Sequence, residues 1–186
     1  LQKFGLGTND RKKIFNGGCV CLGRGLYLRP YGGGLFIGPQ AWLFKHFIKA
    51  FKNIEPLSNF QIIKKCRELK ITKFKGVFMR DELKGIKAGR DECMIINIDH
   101  SRNEGTHWTC LFINNGVGIY FDSFGNEPPS EVTAYCKEPR FYSTFKIQKY
   151  GEVICGHYCL YVLHRLSNGD NFYEVCDELY RYINEI

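Results

Sequence analysis

Apolar and polar positions along the last two thirds of the chain predict an ordered series of helices and strands. The predicted elements are a helix that begins after the N-cap candidate Ser58, strands over 93–98, 107–113 and 117–121, and helices over 154–166 and 171–186. The stretch between the first helix and residue 93 is charged and is predicted to form loops. The order helix, strands, helices is typical of an α+β fold.

The strongest local signal is the Asn-Gly dipeptide at 115–116, because both positions of a type I′ hairpin turn need a positive φ. A two-residue turn there pairs Asn114 with Val117, and every later pair has residue numbers that sum to 231. This register places His107 and Asp122 on one face as diagonal neighbours, about 7–8 Å apart at Cα. A carboxylate at that position can hold an imidazole in one tautomer and stabilise its charged form.

The first 55 residues follow a different pattern. Two short apolar runs bounded by Gly and Pro, 23–30 and 32–39, predict two extended segments of an ordered arm that lies on the main domain. A flexible tether or a processing segment is the alternative. Over 41–52, apolar residues at helical spacing and lysines on the other face predict a cationic amphipathic helix. Its apolar stripe is Phe44, Phe47, Ile48 and Phe51. We interpret this stripe as packing against the protein, and a membrane surface or an acidic partner is the alternative.

The net charge of +7 is confined to the beginning of the chain. Residues 1–55 contain nine basic and two acidic residues, whereas residues 56–186 contain 17 of each sign. We therefore divide the chain into a basic, Gly-rich N-terminal arm with an amphipathic helix, 1–55, and a charge-balanced domain, 56–186. The arm is expected to contact DNA or an acidic surface.

Composition and cysteine usage restrict the class of protein. A hydrophobic content of 44% and a charged content of 24% are typical of a globular domain and exclude a disordered chain. The nine cysteines are scattered, with no signal-peptide h-region upstream, which predicts a reducing, intracellular setting. No apolar run approaches the roughly 20 residues of a membrane span. Cys19 and Cys21 resemble half of a zinc site, but no second close pair follows, so we predict no metal.

A candidate nucleophile begins the predicted helix at 154–166. The helix dipole and a nearby imidazolium would both lower the pKa of the Cys155 thiol, and Gly156 leaves room for a substrate backbone. Free amides at the helix start can bind an oxyanion. A cysteine at a helix start is more often structural when considered alone. Its combination with His107 and Asp122 is what favours nucleophilic catalysis.

Three motifs in this order resemble one family of enzymes. They are Thr106-His-Trp108, Tyr120-Phe-Asp-Ser-Phe-Gly125, and the run from Gln148 to His164 that contains Cys155-Gly-His-Tyr-Cys159. The order His-Trp, acid, Gln, Cys-Gly resembles the adenovirus-type maturation proteases, the adenains, which belong to the same clan as the ubiquitin-like-protein proteases. The Phe-Asp-Ser-Phe-Gly motif, with Pro128-Pro129 after it, resembles the versions in Maverick/Polinton elements and virophages. The resemblance covers about residues 56–186.

The resemblance implies a fold and a set of site residues. The implied architecture is papain-like, of the adenain and SUMO-protease type, with helices packed on a central mixed or antiparallel sheet. The implied catalytic residues are Cys155 as nucleophile, His107 as general base, Asp122 as its orienting acid and Gln148 as oxyanion donor. Trp108 and Gly156 are the implied substrate-binding residues.

The resemblance also implies a cysteine endopeptidase that cleaves viral capsid or core precursors near Gly-Gly or Gly-X sites during virion maturation. Its partners would be viral structural proteins, and it would act in the cytoplasm or nucleus of a host cell and in the virion. The chemistry requires no cofactor, although adenovirus proteases are stimulated by DNA and by a viral peptide. The acid is Asp, as in the SUMO proteases, rather than the Glu of adenovirus. A deconjugating protease for ubiquitin-like modifiers is therefore the main alternative, and an inactive DNA-binding or capsid component is the weaker one.

Overall fold

The computed structural model describes residues 19–22, 25–28, 40–51, 53–137 and 141–184. Strands β1 (Cys19–Leu22) and β2 (Gly25–Leu28) form an antiparallel pair of their own. The second strand contains the apolar run of the first predicted extended segment. The prediction for 32–39 lies outside the described residues.

A five-stranded mixed sheet forms the centre of the fold. Its strands are β3 (Phe74–Met79), β4 (Glu92–Asn97), β5 (Trp108–Asn114), β6 (Val117–Phe121) and β7 (Phe141–Tyr142), in the order β3-β4-β5-β6-β7. The three central strands are antiparallel, and β3 and β7 pair in parallel with their neighbours at the two edges. Helices pack on this sheet, so the predicted α+β class is confirmed.

Within the described residues, five α-helices accompany the sheet. They are α1 (Gln40–Lys49), α2 (Asn59–Glu68), α3 (Ser130–Tyr135), α4 (Cys155–Ser167) and α5 (Phe172–Asn184), with a short 3₁₀ helix at Arg80–Leu83. Ser58 caps α2 as predicted. Its hydroxyl accepts from the backbone N–H of Gln61, and the Gln61 side chain accepts in return from the Ser58 N–H, which completes a capping box. None of the helices in the described ranges is long and apolar enough to cross a bilayer.

The predicted hairpin register is confirmed. Asn114 pairs with Val117, and the ladder continues to Cys110 opposite Phe121, so each pair sums to 231. Both turn residues have positive φ, 51° at Asn115 and 75° for the glycine after it. The turn chemistry therefore fixes which residues of β5 and β6 share a face.

The apolar stripe of α1 packs in the main core, as predicted. Phe44 is fully buried, stacks on Tyr158 of α4 with ring centroids 4.8 Å apart, and meets Tyr182 of α5 edge-on. Lys45 and Lys49 are exposed on the opposite face. The protein itself buries this stripe, so the stripe is not a free surface for a membrane or an acidic partner. The division of the chain at residue 55 stays a prediction.

The charged stretch before residue 93 was wrongly predicted as loop. It contains β3, whose residues are only partly buried because the strand lies at the sheet edge. Its pattern lacks the alternation of a half-buried strand, with Gly76 interrupting the register against β4. Helix α3 and the two-residue strand β7 were also not predicted, since both are too short to show a period.

Candidate active site

His107 and Asp122 form a buried hydrogen-bonded pair. His107 immediately precedes β5 and Asp122 immediately follows β6, so the hairpin places both at the same end of the sheet. The distance from His107 Nε2 to Asp122 Oδ1 is 2.7 Å, and the two residues are 6% and 1% exposed. The ring of His107 also lies 4.7 Å from that of Phe124, the residue opposite it in the extrapolated register.

The carboxylate of Asp122 is held by groups that the sequence did not single out. Oδ1 also accepts from the backbone N–H of Phe124 at 2.8 Å, and Oδ2 accepts from the side-chain amide of Asn126 at 2.9 Å. The hydroxyl of Ser143 bonds both the main-chain N–H and the carbonyl of Asp122. These contacts fix the carboxylate, and through it the ring of His107.

Cys155 is the first residue of α4, and its thiol interacts with His107. Because Nε2 of the ring faces Asp122, Nδ1 is the nitrogen left for the thiol. Burial favours the neutral form of the ring, but the hydrogen bonds and charges of Asp122 and Cys155 outweigh it and raise the pKa of His107 to about 9. Burial likewise opposes the thiolate, but His107 and the backbone N–H groups of Trp108 and Gly156 lower the pKa of Cys155 below its ordinary value. The pair therefore favours thiolate and imidazolium.

Four other buried thiols in the described chain behave differently. Burial raises the pKa of Cys66, Cys93 and Cys136 to about 12, and that of Cys159 rises as well. Cys159 lies one turn after Cys155 and donates to the carbonyl of Trp108 at 3.3 Å. Burial alone would thus make Cys155 inert, and its neighbours are what distinguish it.

The side-chain amide of Gln148 is hydrogen-bonded at both ends. Oε1 accepts from the hydroxyl of Ser123 at 2.6 Å, and Nε2 donates to the carbonyl of Glu152 at 2.5 Å. The side chain is 2% exposed and lines the same cavity as Cys155. Sequence reasoning missed Ser123, although it directly follows Asp122 in the Phe-Asp-Ser-Phe-Gly motif.

Trp108 and Gly156 pack against each other. The indole N–H donates to the carbonyl of Leu57 at 2.8 Å, and a Cβ at Gly156 would lie 3.3 Å from both Trp108 and Leu57. The missing side chain thus makes room for residues of the protein itself, whereas the sequence suggested room for a substrate backbone. The substrate-binding roles of both residues stay predictions.

A cavity of about 690 Å³ opens over these groups. Its lining includes Trp108, His107, Gln148 and Cys155, and Asp122 lies behind His107 outside the lining. The acidic residues of the lining are Glu82, Glu104 and Glu152. The structure therefore brings the four predicted catalytic residues together at one cavity.

Two other histidines, His157 and His100, form no comparable pair with a thiol in the described residues. His157 is fully buried, neither of its ring nitrogens has a hydrogen-bond partner there, and burial lowers its pKa to about 4. His100 faces Asp81 at 3.6 Å near the 3₁₀ helix. No group of three His, Cys, Asp or Glu side chains in the described ranges is placed to hold a metal ion. His107 is therefore the histidine that the structure pairs with both a carboxylate and a thiol.

Comparisons with known proteins identify similar structures but no family. No protein-family model matches the sequence, and no curated protein matches it. A crystal structure of an ASFV protease is 17% identical over 78% of this chain and 69% of its own, with a TM-score of 0.45. The C-terminal protease domain of Ulp1, in complex with Smt3, the yeast ortholog of SUMO, is 12% identical over 81% of this chain and 96% of its own, with a TM-score of 0.35. The SUMO protease Ulp1 with its catalytic cysteine oxidised to a sulfinic acid is 15% identical over 77% and 72%, with a TM-score of 0.32.

Proposed function

We propose that this protein is a cysteine endopeptidase. The observation that carries the proposal is the chain of contacts from Asp122 through His107 to Cys155, which lowers the pKa of one thiol among many buried ones. An acid–imidazole pair of this kind activates a thiol for attack on a carbonyl carbon. The adjoining cavity, about 690 Å³, is large enough for several residues of an extended peptide.

The proposed reaction uses only side chains and backbone of this chain. The Cys155 thiolate attacks the carbonyl carbon of the scissile peptide, and the oxyanion accepts from the Cys155 backbone N–H and from Gln148. His107 then gives its proton to the leaving amine, and a thioester remains on Cys155. Water, deprotonated by His107, attacks the thioester and releases the acid. The steps need neither a metal nor an organic cofactor.

For the substrate, we propose precursors of viral capsid or core proteins, cut near Gly-Gly or Gly-X during virion maturation in a host cell. The ordered motif and the seven-residue interval from Gln148 to Cys155 support this substrate class, because both resemble the adenovirus enzymes. The acid at Asp122 supports a second candidate, a deconjugating protease for ubiquitin-like modifiers. Incubation with short Gly-Gly peptides and with SUMO-type precursors separates them, since a deconjugating protease needs the folded modifier.

The decisive experiment measures peptide cleavage by matched variants. Cys155→Ala and His107→Ala should reduce cleavage by at least about 10³-fold while circular dichroism stays unchanged. His164→Ala is the control, because that histidine lies at the far end of α4 and is not among the cavity residues. Cleavage that persists in a clean Cys155→Ala preparation would refute the proposal.

We also propose that the basic residues of the arm contact DNA or another acidic surface. A deletion of residues 1–55 cannot test this, because it would remove Phe44 from the core. The better variant replaces the six basic residues before residue 40 with Gln: Lys3, Arg11, Lys12, Lys13, Arg24 and Arg29. DNA affinity should fall and depend less steeply on salt, and an unchanged salt slope would contradict the proposal. Adding DNA to the cleavage assay tests whether it also stimulates activity.

A further inference from the structure

The amide of Gln148 has its oxygen and nitrogen assigned by its two partners. The carbonyl of Glu152, 2.5 Å away, can only accept, so the atom that faces it must be Nε2. The other end of the amide is then Oε1, and Ser123, 2.6 Å from it, must donate its hydroxyl proton. The two contacts together exclude the flipped amide, which would set Oε1 against the Glu152 carbonyl.

One donor of Gln148 is left after this assignment. A primary amide nitrogen carries two hydrogens, and the Glu152 carbonyl takes one of them. Gln148 and Cys155 line the same cavity, so an oxyanion formed there is the candidate acceptor for the second N–H. The direction of that N–H depends on how the amide plane is held, and Ser123 is the partner that holds its oxygen end.

We infer that Ser123 is a positioning residue that aims the second N–H of Gln148 at the oxyanion formed on attack by Cys155. The inference rests on the proposed peptidase function. Ser123 is fully buried, and its main-chain carbonyl accepts from the N–H groups of Ile147 and Gln148 at 2.9 and 3.0 Å. These main-chain bonds survive replacement of the side chain, so Ser123→Ala removes the hydroxyl and leaves the segment that carries Gln148 in place.

The loss of this hydroxyl should affect the transition state more than the bound substrate. Without it, Oε1 of Gln148 is buried without a donor, and the amide gains freedom to rotate. An oxyanion donor contributes about 10²–10³ to kcat, so a donor that is present but poorly aimed should forfeit part of that factor. We expect kcat to fall about 10- to 100-fold with KM changed by less than about 3-fold.

A double-mutant cycle distinguishes positioning from general destabilisation. The variants are Ser123→Ala, Gln148→Ala and the double variant. In the Gln148→Ala background, Ser123→Ala should reduce kcat by less than about 2-fold, because no amide is left to aim. The matched control is Ser143→Ala, which removes another fully buried hydroxyl, one that bonds the Asp122 main chain. Its effect should be the same in both backgrounds. Equal losses for Ser123→Ala in both backgrounds, or no loss at all, would overturn the inference.

A readout without turnover separates this inference from the proposed function. In ¹⁵N-edited NMR spectra, the side-chain amide of Gln148, assigned from its absence in Gln148→Ala, should show two distinct resonances with slow solvent exchange. Ser123→Ala should speed that exchange by at least about 10-fold. If the native protein cleaves no peptide, the proposed function is wrong. The NMR result alone then decides whether Ser123 holds the amide of Gln148. If exchange is unchanged in Ser123→Ala, the positioning inference is wrong whatever the activity.

Discussion

The reactivity of Cys155 should depend on His107, and other buried thiols indicate how large the effect is. Replacing His107 with Ala removes the hydrogen bond and the positive charge that lower the pKa of Cys155, and it leaves the desolvation that opposes the thiolate. Cys66 and Cys93 show what burial does in the absence of such a partner, because their pKa is raised to about 12. The pKa of the variant thiol should move toward that value, although the backbone N–H groups of Trp108 and Gly156 still favour the thiolate.

The size of the effect follows from the fraction of thiolate at pH 7. A thiol with the ordinary pKa of about 8.5 is about 3% ionised, and one with a pKa of about 12 is about 0.001% ionised. The more basic thiolate is intrinsically more nucleophilic, by about 40-fold for this difference. The net loss is therefore about 10²-fold in the rate of alkylation at pH 7. The lowered pKa of native Cys155 enlarges this loss, and the backbone N–H groups that remain in the variant reduce it.

The assay is alkylation by iodoacetamide between pH 4 and 10, with mass spectrometry to locate the modified cysteine. Native Cys155 should react fastest, and its rate should fall at a lower pH than that of an ordinary thiol, where the thiolate is protonated at its lowered pKa. Peptide hydrolysis needs the proton on His107 as well, so kcat/KM should fall as the pH rises through about 9, whereas alkylation should not. A native profile with the midpoint of an ordinary thiol, unchanged in His107→Ala, would refute the ion-pair reasoning.

Three further predictions concern packing and stability. Phe44→Ala should lower the free energy of unfolding by about 3–5 kcal/mol, because Phe44 is fully buried. The control Leu43→Ala should lower it by less than about 1 kcal/mol, because Leu43 is partly exposed. Equal effects of the two substitutions in urea titrations would show that α1 is not part of the folded core. Gly156→Ala should cost about 1 kcal/mol and reduce kcat/KM about 10-fold, because its Cβ would press on two side chains 3.3 Å away, both of them in the cavity wall; native stability and activity would contradict this. His157 has a pKa of about 4 in the folded protein and about 6.5 when unfolded, so the unfolded state binds its proton first as the pH falls. His157→Phe should therefore remove about 2.5 kcal/mol of the stability loss between pH 7.5 and 4.5, and parallel pH curves for the two proteins would exclude the effect.

The part of the site that could be predicted from sequence depends on one short turn. The dipeptide at 115–116 determines the register of β5 and β6, and that register carries His107 and Asp122 to the same end of the sheet. A local signal thereby specifies a contact between residues 15 apart in the chain. A second local signal placed Cys155 at a helix start, because the apolar pattern of α4 is long.

The contacts that adjust these residues could not be predicted, because they join segments far apart in sequence through small polar groups. Ser123 meets Gln148 across 25 residues, and Ser143 meets Asp122 across 21. A buried serine gives no periodic signal, and each bond depends on where a loop turns after its strand. The edge strands β3 and β7 escaped prediction for a related reason, since each depends on a parallel neighbour brought to it by the fold.

The boundary of the basic region does not coincide with the boundary of the hydrophobic core. All of the excess positive charge precedes Pro56, yet the core already includes Phe44 and Ile48. Helix α1 reconciles the two because it is amphipathic: its apolar face is buried against α4 and α5, and Lys45 and Lys49 remain exposed. These two lysines therefore lie on the surface of the folded core, and any acidic partner that they attract would bind there. The basic residues of α1 and those before residue 40 must be neutralised in separate variants, because only then can the effect of each group on binding be measured.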